Sequence, residues 1–294
     1  MQDTAPAAPA RPVPAAEAGA VGHAPRPRAI IGGEAAPAAP RVLAEEVAVA
    51  LSYNGSTQAV MMATPADLVD FAHGFTLSEG LAAPEEIAGV EPVATPKGID
   101  LRIWLTPGAG ARLAARRRSM AGPVGCGLCG LDSLEEATRA APPVPASALR
   151  MTAAEVWTAA EALRDHQSLH DRTRAAHAAG FWSGGMVAVR EDVGRHNALD
   201  KLAGALVRAG ADPARGAVVM TSRISIDLVQ KVARIGAPML IAVSAPTAAA
   251  VDLAREAGLT LAALVRPGRF EIFTHPHRVD GAPEIAPPRG PARP

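Results

Sequence analysis

From Gly216 to His275 short apolar runs alternate with amphipathic stretches: GAVVMTS, SIDLVQKVARIG, APMLIAVS, PTAAAVDLAREAG, LTLAALVR and FEIFTH. Nearly continuous apolar runs of strand length suit strands buried on both faces, and the helical periodicity between them suits the helices that cover such strands. Few folds accept this alternation, and it predicts a layered α/β sheet. Just upstream, two apolar runs flank Ser183-Gly184-Gly185, a hairpin leading into MVAVRE. ALDKLAGAL then places Leu199, Leu202, Ala203 and Leu206 on one helical face.

The N-terminal half reads differently. Val47, Val49, Leu51 and Tyr53 alternate up to Asn54-Gly55, a strong hairpin turn signal, and STQAVMMA returns as the partner strand. Pro65 suits the first turn of a helix through PADLVDFAHGF, with Gly74 close to its end, and GIDLRIWLT reads as another strand. Ser133 with Glu136, and Thr152 with Glu155, form capping-box patterns, separated by the linker APPVPAS; the second helix carries Val156, Ala160 and Leu163. Residues 1–40 and 279–294 are rich in Ala and Pro and are expected to lack structure. The expected organisation is a smaller α+β part over 41–130 and an α/β core over 131–278.

A chain of 294 residues that is 49% apolar can build a sizeable core. Its formal net charge of +0 gives no global reason to expect a nucleic acid or an acidic membrane surface as partner. The opening residues lack the basic start and apolar block of a signal peptide, and no later run is apolar for the ~18 residues a membrane span needs. A cytoplasmic location is the expectation, where thiols stay reduced and a Cys-x-x-Cys pair is reactive or metal-binding rather than a staple.

Cys126 and Cys129, the chain's 2 cysteines, sit in GPVGCGLCGLDS. Gly125, Gly127 and Gly130 leave the sulfurs uncovered and permit backbone angles that point amides toward an anion. Upstream, Arg112, Arg116, Arg117 and Arg118 would favour a thiolate, unless they form an ordinary solvated helix face. Structural zinc wants four ligands, and His177, His196, His275 and His277 have no paired metal spacing with the cysteines. Local chemistry therefore divides between a dithiol redox pair and a persulfide carrier.

The wider sequence bears on that choice. CGLCG at 126–130, EDVGRHNALDKLAG at 191–204, SAPTAAAVDLAREAGLTL at 244–261 and the early block EEVAVALSYNGSTQAVMMATPADLVDFAHGFTLSEGL together resemble the formate dehydrogenase accessory sulfurtransferase family, FdhD. The likeness runs from about Glu45 to His277. It implies a homodimer with a cytidine-deaminase-like α/β core. It also implies a protein that takes persulfide sulfur from a cysteine desulfurase and passes it to the bis-molybdopterin guanine dinucleotide form of the molybdenum cofactor, so that the formate dehydrogenase catalytic subunit becomes active. Cys126 matches the family's persulfide-bearing residue and Cys129 the second cysteine, with an assisting role by thiol–disulfide exchange. The family's guanine dinucleotide segment falls on Leu264, Val265, Arg266, Pro267, Gly268 and Arg269. The two arginines there offer planar forks to phosphate or guanine, and Pro267-Gly268 make a turn.

Glu191, Asp192, Arg195, His196, Asn197, Asp200 and Lys201 crowd one strand-to-helix junction, expected to line the cofactor cavity or to brace the cysteine loop. His196 is a candidate acid or base, or a hydrogen-bonded structural histidine. Arg223 and Ser225 are a second candidate phosphate contact, the alternative being that Ser225 is an N-cap. There is no His-x-Glu with Pro-Cys-x-x-Cys, so deaminase chemistry is not expected from a deaminase-like fold. Two other classes stay open: a chaperone that binds the cofactor without a covalent step, and a thiol–disulfide oxidoreductase.

Overall fold

The computed structural model describes residues 22–28, 40–120 and 140–285. The expected hairpin forms from β3 (Val47–Tyr53) and β4 (Ser56–Ala63). Asn54 and Gly55 have φ 49° and 82°, the paired left-handed conformations of the tight turn whose twist matches the strands. With β5 (Ile87–Thr95) and β6 (Gly98–Leu105) they make a sheet in the order β4-β3-β6-β5. β5 was not foreseen, because Gly89 and Pro92 interrupt its pattern; as an edge strand pairing only with β6 it tolerates them. α1 (Leu68–Ser78) and α2 (Pro107–Met120) supply Phe71, Phe75, Ala109 and Leu113 to the core beneath this sheet.

Two expectations about the chain's ends need correction. Inside residues 1–40, β1 (His23–Arg26) pairs antiparallel with β2 (Arg41–Ala44), the first strand of the expected N-terminal part. A ladder of backbone hydrogen bonds does not need an apolar pattern to be read from. At the other end, Val279 is 4% exposed and bridges Met151, so the core runs past the expected boundary at 278.

The larger sheet has the order β12-β11-β10-β9-β7-β8. β7 (His177–Trp182) and β8 (Met186–Asp192) form the expected hairpin. β9 (Ala217–Met220), β10 (Met239–Ala242) and β11 (Thr260–Arg266) run parallel, and β12 (Arg269–Thr274) returns antiparallel. α5 (Arg195–Arg208), α6 (Ile226–Ile235) and α7 (Ala248–Glu256) pack Leu199, Leu202, Leu228, Val232, Ala250 and Ala254 on one side of the sheet. α3 (Ala153–Asp165), started by the Thr152–Glu155 capping box, packs Val156, Ala159, Ala160 and Leu163 on the other. The short α4 (Ser168–Thr173) follows it. The Ser133–Glu136 capping box lies outside the described residues. The alternation seen in sequence is thus a mixed α/β sheet with helices on both faces.

The two sheets are joined through α1 and α5. Gly74 does not end α1 but sits inside it, where an added Cβ would lie 1.6 Å from Asp200 O; at Gly204 a Cβ would lie 1.8 Å from Asp70 O. Both glycines let the two helix backbones touch, and only the absence of side chains permits that approach.

Candidate functional site

β8 is antiparallel to β7, and β7 is antiparallel to β9, so β8, β9 and β10 all end at one edge of the larger sheet. From that edge the chain enters α5, α6 and α7, whose N-termini all open there. Ligands of open α/β sheets bind at this carboxyl edge. The loops are clipped together: Ile224 N donates to Ala245 O at 3.1 Å, Thr247 N to Ile224 O at 2.9 Å, and Leu264 N to Ser244 O at 3.3 Å. Pairing of Ala178 N with Thr221 Oγ1 at 3.0 Å adds the start of β7.

The expected segment Leu264–Arg269 closes this edge. A register shift lies between Ala263 and Arg266, with Leu264 at φ 56°. A left-handed leucine is uncommon and costs on the order of 1–3 kcal/mol, a conformation that clusters at binding sites. Val265 is 2% exposed, so its side chain serves the core. Pro267 and Gly268, the latter at φ 74°, form the exposed turn into β12. Arg266 Nη1 donates to Val243 O at 2.6 Å and Val265 O at 2.8 Å, which anchors the segment to the end of β10. Arg269 is exposed and paired with Glu271 at 2.9 Å, an ion pair weak enough to be exchanged for another anion.

Arg195 and His196 occupy the first turn of α5, and Ser225 is the residue before α6. Arg195 Nε, His196 Nε2 and Ser225 Oγ are buried with no hydrogen-bond partner among the described residues. Ser225 occupies the N-cap position of α6, the alternative considered for it, but its side chain makes no capping hydrogen bond. Arg223 stands exposed beside it. Buried polar atoms are normally satisfied, so three orphans at one strand edge are unusual. His196 is pushed down to about 4 by burial, then by Arg195 and Lys231, against the weaker pull of Asp227 and Glu79. Its Nε2 lies 3.8 Å from Asp227 Oδ2, beyond hydrogen-bond reach. His177 is also lowered, by burial and by Arg195 and His170. Both imidazoles are neutral at pH 7, so the charge of this edge is carried by arginines and helix N-termini.

The rest of the EDVGRHNALDK block does other work. Asp192 accepts from Lys201 Nζ at 2.6 Å, Thr64 N at 3.0 Å and Asn197 Nδ2 at 3.0 Å, and Lys201 Nζ also donates to Thr64 O at 2.8 Å. Asp200 accepts from Ser78 Oγ at 2.5 Å and from Lys231 Nζ at 2.9 Å. Glu191 accepts from Leu169 N and His170 N, both at 2.8 Å, holding the start of α4. Asp192, Asn197, Asp200 and Lys201 brace one part of the molecule against the other, while Glu191 ties β8 to α4 within the larger unit. Sequence reading missed Lys231, Asp70, Arg190 and Arg208 in the same bracing, with Arg190 Nε donating to Asp70 Oδ2 and Arg208 Nη1 to Asp70 Oδ1, each at 2.7 Å. The one signal was Lys231 on the apolar stripe of α6 beside Leu228 and Val232.

Cys126 and Cys129, and the side chains of Arg117 and Arg118, lie outside the described residues. Arg112 pairs with Glu86, and Arg116 Nη1 donates to Gly80 O at 3.3 Å, so these two tether α2 to its own sheet unit. Among the described residues no group of His, Cys, Asp and Glu could hold a metal ion, and no helix is long and apolar enough to cross a membrane.

Comparison with known proteins agrees with this architecture. The sulfur carrier protein FdhD of Agrobacterium fabrum is 52% identical over 242 residues, covering 81% of this chain and 89% of that protein. The sulfur carrier protein FdhD of Variovorax paradoxus is 50% identical over 247 residues, covering 83% and 88%. The crystal structure of a candidate formate dehydrogenase accessory protein from Desulfotalea psychrophila superposes with TM-score 0.68 at 26% identity, covering 87% of this chain and 99% of that one. The family model described as FdhD/NarQ matches residues 44–280, which take in both sheets, the Cys-x-x-Cys pair and the carboxyl-edge loops, and the chain belongs to the FdhD/NarQ family.

Proposed function

We propose that this protein is a sulfur carrier for a formate dehydrogenase, taking persulfide sulfur on Cys126 from a cysteine desulfurase and delivering it to bis-molybdopterin guanine dinucleotide-bound molybdenum. The observation that carries the reading is a family match containing Cys126 and Cys129, together with relatives named as sulfur carriers at about half identity over most of their length.

The chemistry balances in two steps. The Cys126 thiolate attacks the outer sulfur of the donor persulfide; that S–S bond breaks, the donor thiolate leaves, and Cys126 holds the sulfane sulfur with no net oxidation. Cys129 thiolate then attacks Cys126 Sγ, releasing the outer sulfur as sulfide for the metal and leaving a Cys126–Cys129 disulfide. A dithiol reductant restores the pair. The carboxyl edge fits the other end of the acceptor. Arg195, Arg223, Arg266 and Arg269, with the α5, α6 and α7 N-termini, suit diphosphates, and the exposed Pro267-Gly268 turn leaves room for a nucleotide base. His196, neutral and with an unpaired buried Nε2, is a hydrogen-bonding group toward that ligand. The reading places the chain in the cytoplasm as a homodimer.

Intact mass after incubation with a cysteine desulfurase and cysteine tests the covalent step. A dithiothreitol-reversible sulfur adduct on wild type that is absent from Cys126→Ala is the expected result. An adduct of equal size on both would sink the carrier role of Cys126. No adduct on either would favour a chaperone that binds the cofactor without covalent transfer.

A further inference from the structure

Lys231 lies on α6 with its side chain 8% exposed, and its ammonium joins two other helices. Its Nζ donates to the two carboxylate oxygens of Asp200 on α5 at 2.9 and 3.0 Å. It also donates to Ser78 Oγ at 2.9 Å and to Glu79 Oε1 at 2.5 Å, both at the C-terminal end of α1. The Phe75 ring of α1 lies 5.4 Å from the same ammonium, and about one turn further along α6 Arg234 Nη1 donates to Ser78 O at 2.9 Å. Three helices therefore meet on one buried cation.

The spacing of the residues ties this junction to the carboxyl edge. Asp200 follows His196 by four positions on α5, and Lys231 follows Asp227 by four on α6, so each lies about one turn inward on the same helical face. The outer pair faces across the same gap, with His196 Nε2 3.8 Å from Asp227 Oδ2. The Asp200–Lys231 tie thus stands directly behind the first turns that carry Arg195, His196 and Ser225 to the edge. A buried ion pair adds little net stability over a well-packed apolar pair, but it is satisfied only while its helices keep a narrow range of spacing.

We propose that Lys231 is a positioning residue for the carboxyl edge. Through Asp200 it fixes the first turns of α5 and α6 relative to each other, and through Glu79 and Ser78 it makes their spacing depend on where the C-terminal end of α1 sits. The smaller sheet unit thereby controls affinity at an edge that the larger unit builds. The anion taken there is a diphosphate, and that choice of ligand rests on the function proposed above.

The test uses the full-length protein and two readouts: calorimetric titration with inorganic pyrophosphate, and, without ligand, the nuclear Overhauser contact between the His196 ring and the Asp227 methylene. Glu79 and Arg208 offer a matched comparison, because each side chain is 38% exposed and each pairs across the two units, Arg208 with Asp70 at the far end of α5. Lys231→Met is expected to lose the His196–Asp227 contact and to bind pyrophosphate about tenfold more weakly, and Glu79→Gln about threefold more weakly. Arg208→Gln is expected to keep both readouts at wild-type values. By charge alone, removing Glu79 would tighten the binding of an anion, so a weakening reports geometry. Equal effects of Glu79→Gln and Arg208→Gln would reduce Lys231 to one brace among several and overturn the proposal. So would an intact contact with unchanged or tighter binding in Glu79→Gln, a comparison that holds even where Lys231→Met fails to fold. A wild type that binds no pyrophosphate would sink the diphosphate reading of the edge, and the His196–Asp227 contact would then decide the positioning role by itself.

Discussion

His196 shows how burial sets the chemistry of a single side chain. Its folded value of about 4 lies below the ordinary 6.5, so as pH falls through that interval the unfolded chain takes up the proton first. Stability therefore drops with falling pH, by about 3 kcal/mol across the full window for this group alone. His73 and His177 are lowered too and act with the same sign, whereas Glu191, raised by burial, acts with the opposite one. The contribution of His196 is isolated by comparing wild type with His196→Gln in urea melts at pH 7 and pH 5. The variant is expected to lose less stability than wild type over that step, and equal losses would show that His196 is solvated. Lys231 follows the reverse logic: burial pulls its ammonium down, but Asp200 and Glu79 outweigh this and hold it above its ordinary value. Lys231→Met leaves Asp200 buried without its cation and is expected to cost about 3–5 kcal/mol by denaturant unfolding.

At the scale of elements, the contact of α1 with α5 is decided by two glycines. Gly74 read as a helix end because glycine commonly stands there, yet its role is to let one backbone reach another that lies more than a hundred residues away in sequence. Gly74→Ala forces α1 off Asp200 O, and Gly204→Ala forces α5 off Asp70 O. Each is expected to destabilise by about 1–3 kcal/mol or more, with the double variant less than additive because both open the same contact. Thermal melts of the single and double variants check this; full additivity would mean that the two glycines act separately. The β11 bulge at Leu264 belongs to the same scale. A helical or strand pattern cannot announce it, since the left-handed residue is a leucine whose N–H is held by Ser244 O from the loop after β10.

For the whole molecule, three buried polar clusters cross between the two sheet units: Asp70 with Arg190 and Arg208, Asp192 with Lys201 and Thr64, and Asp200 with Lys231 and Ser78. Separating the units would expose α1, part Asp70 from Arg190 and Arg208 and Glu79 from Lys231, and strip Thr64 and Ser78 from the other two clusters, so the units are expected to unfold together. Calorimetry should show one transition with equal calorimetric and van't Hoff enthalpies; two resolved transitions would refute the coupling. Much of this was legible in the chain. The β3–β4 hairpin, the α3 capping box and the strand–helix alternation after Gly216 rest on local rules, in which each residue's neighbours in sequence are its neighbours in space. The Cys-x-x-Cys pair was legible as a compact motif, whereas the turn at Pro267-Gly268 was singled out only through the family resemblance. By itself, then, the sequence determined the layered α/β class and most strand and helix positions. Only the tertiary structure decided that Asp192, Asp200 and Lys201 brace the two units while Arg195 Nε, His196 Nε2 and Ser225 Oγ, at the sheet edge, have no hydrogen-bond partner among the described residues. Adjacent residues on α5 diverge in this way because a helix turns successive side chains to different faces, and which face meets α1, α6 or open space depends on elements far away in the chain.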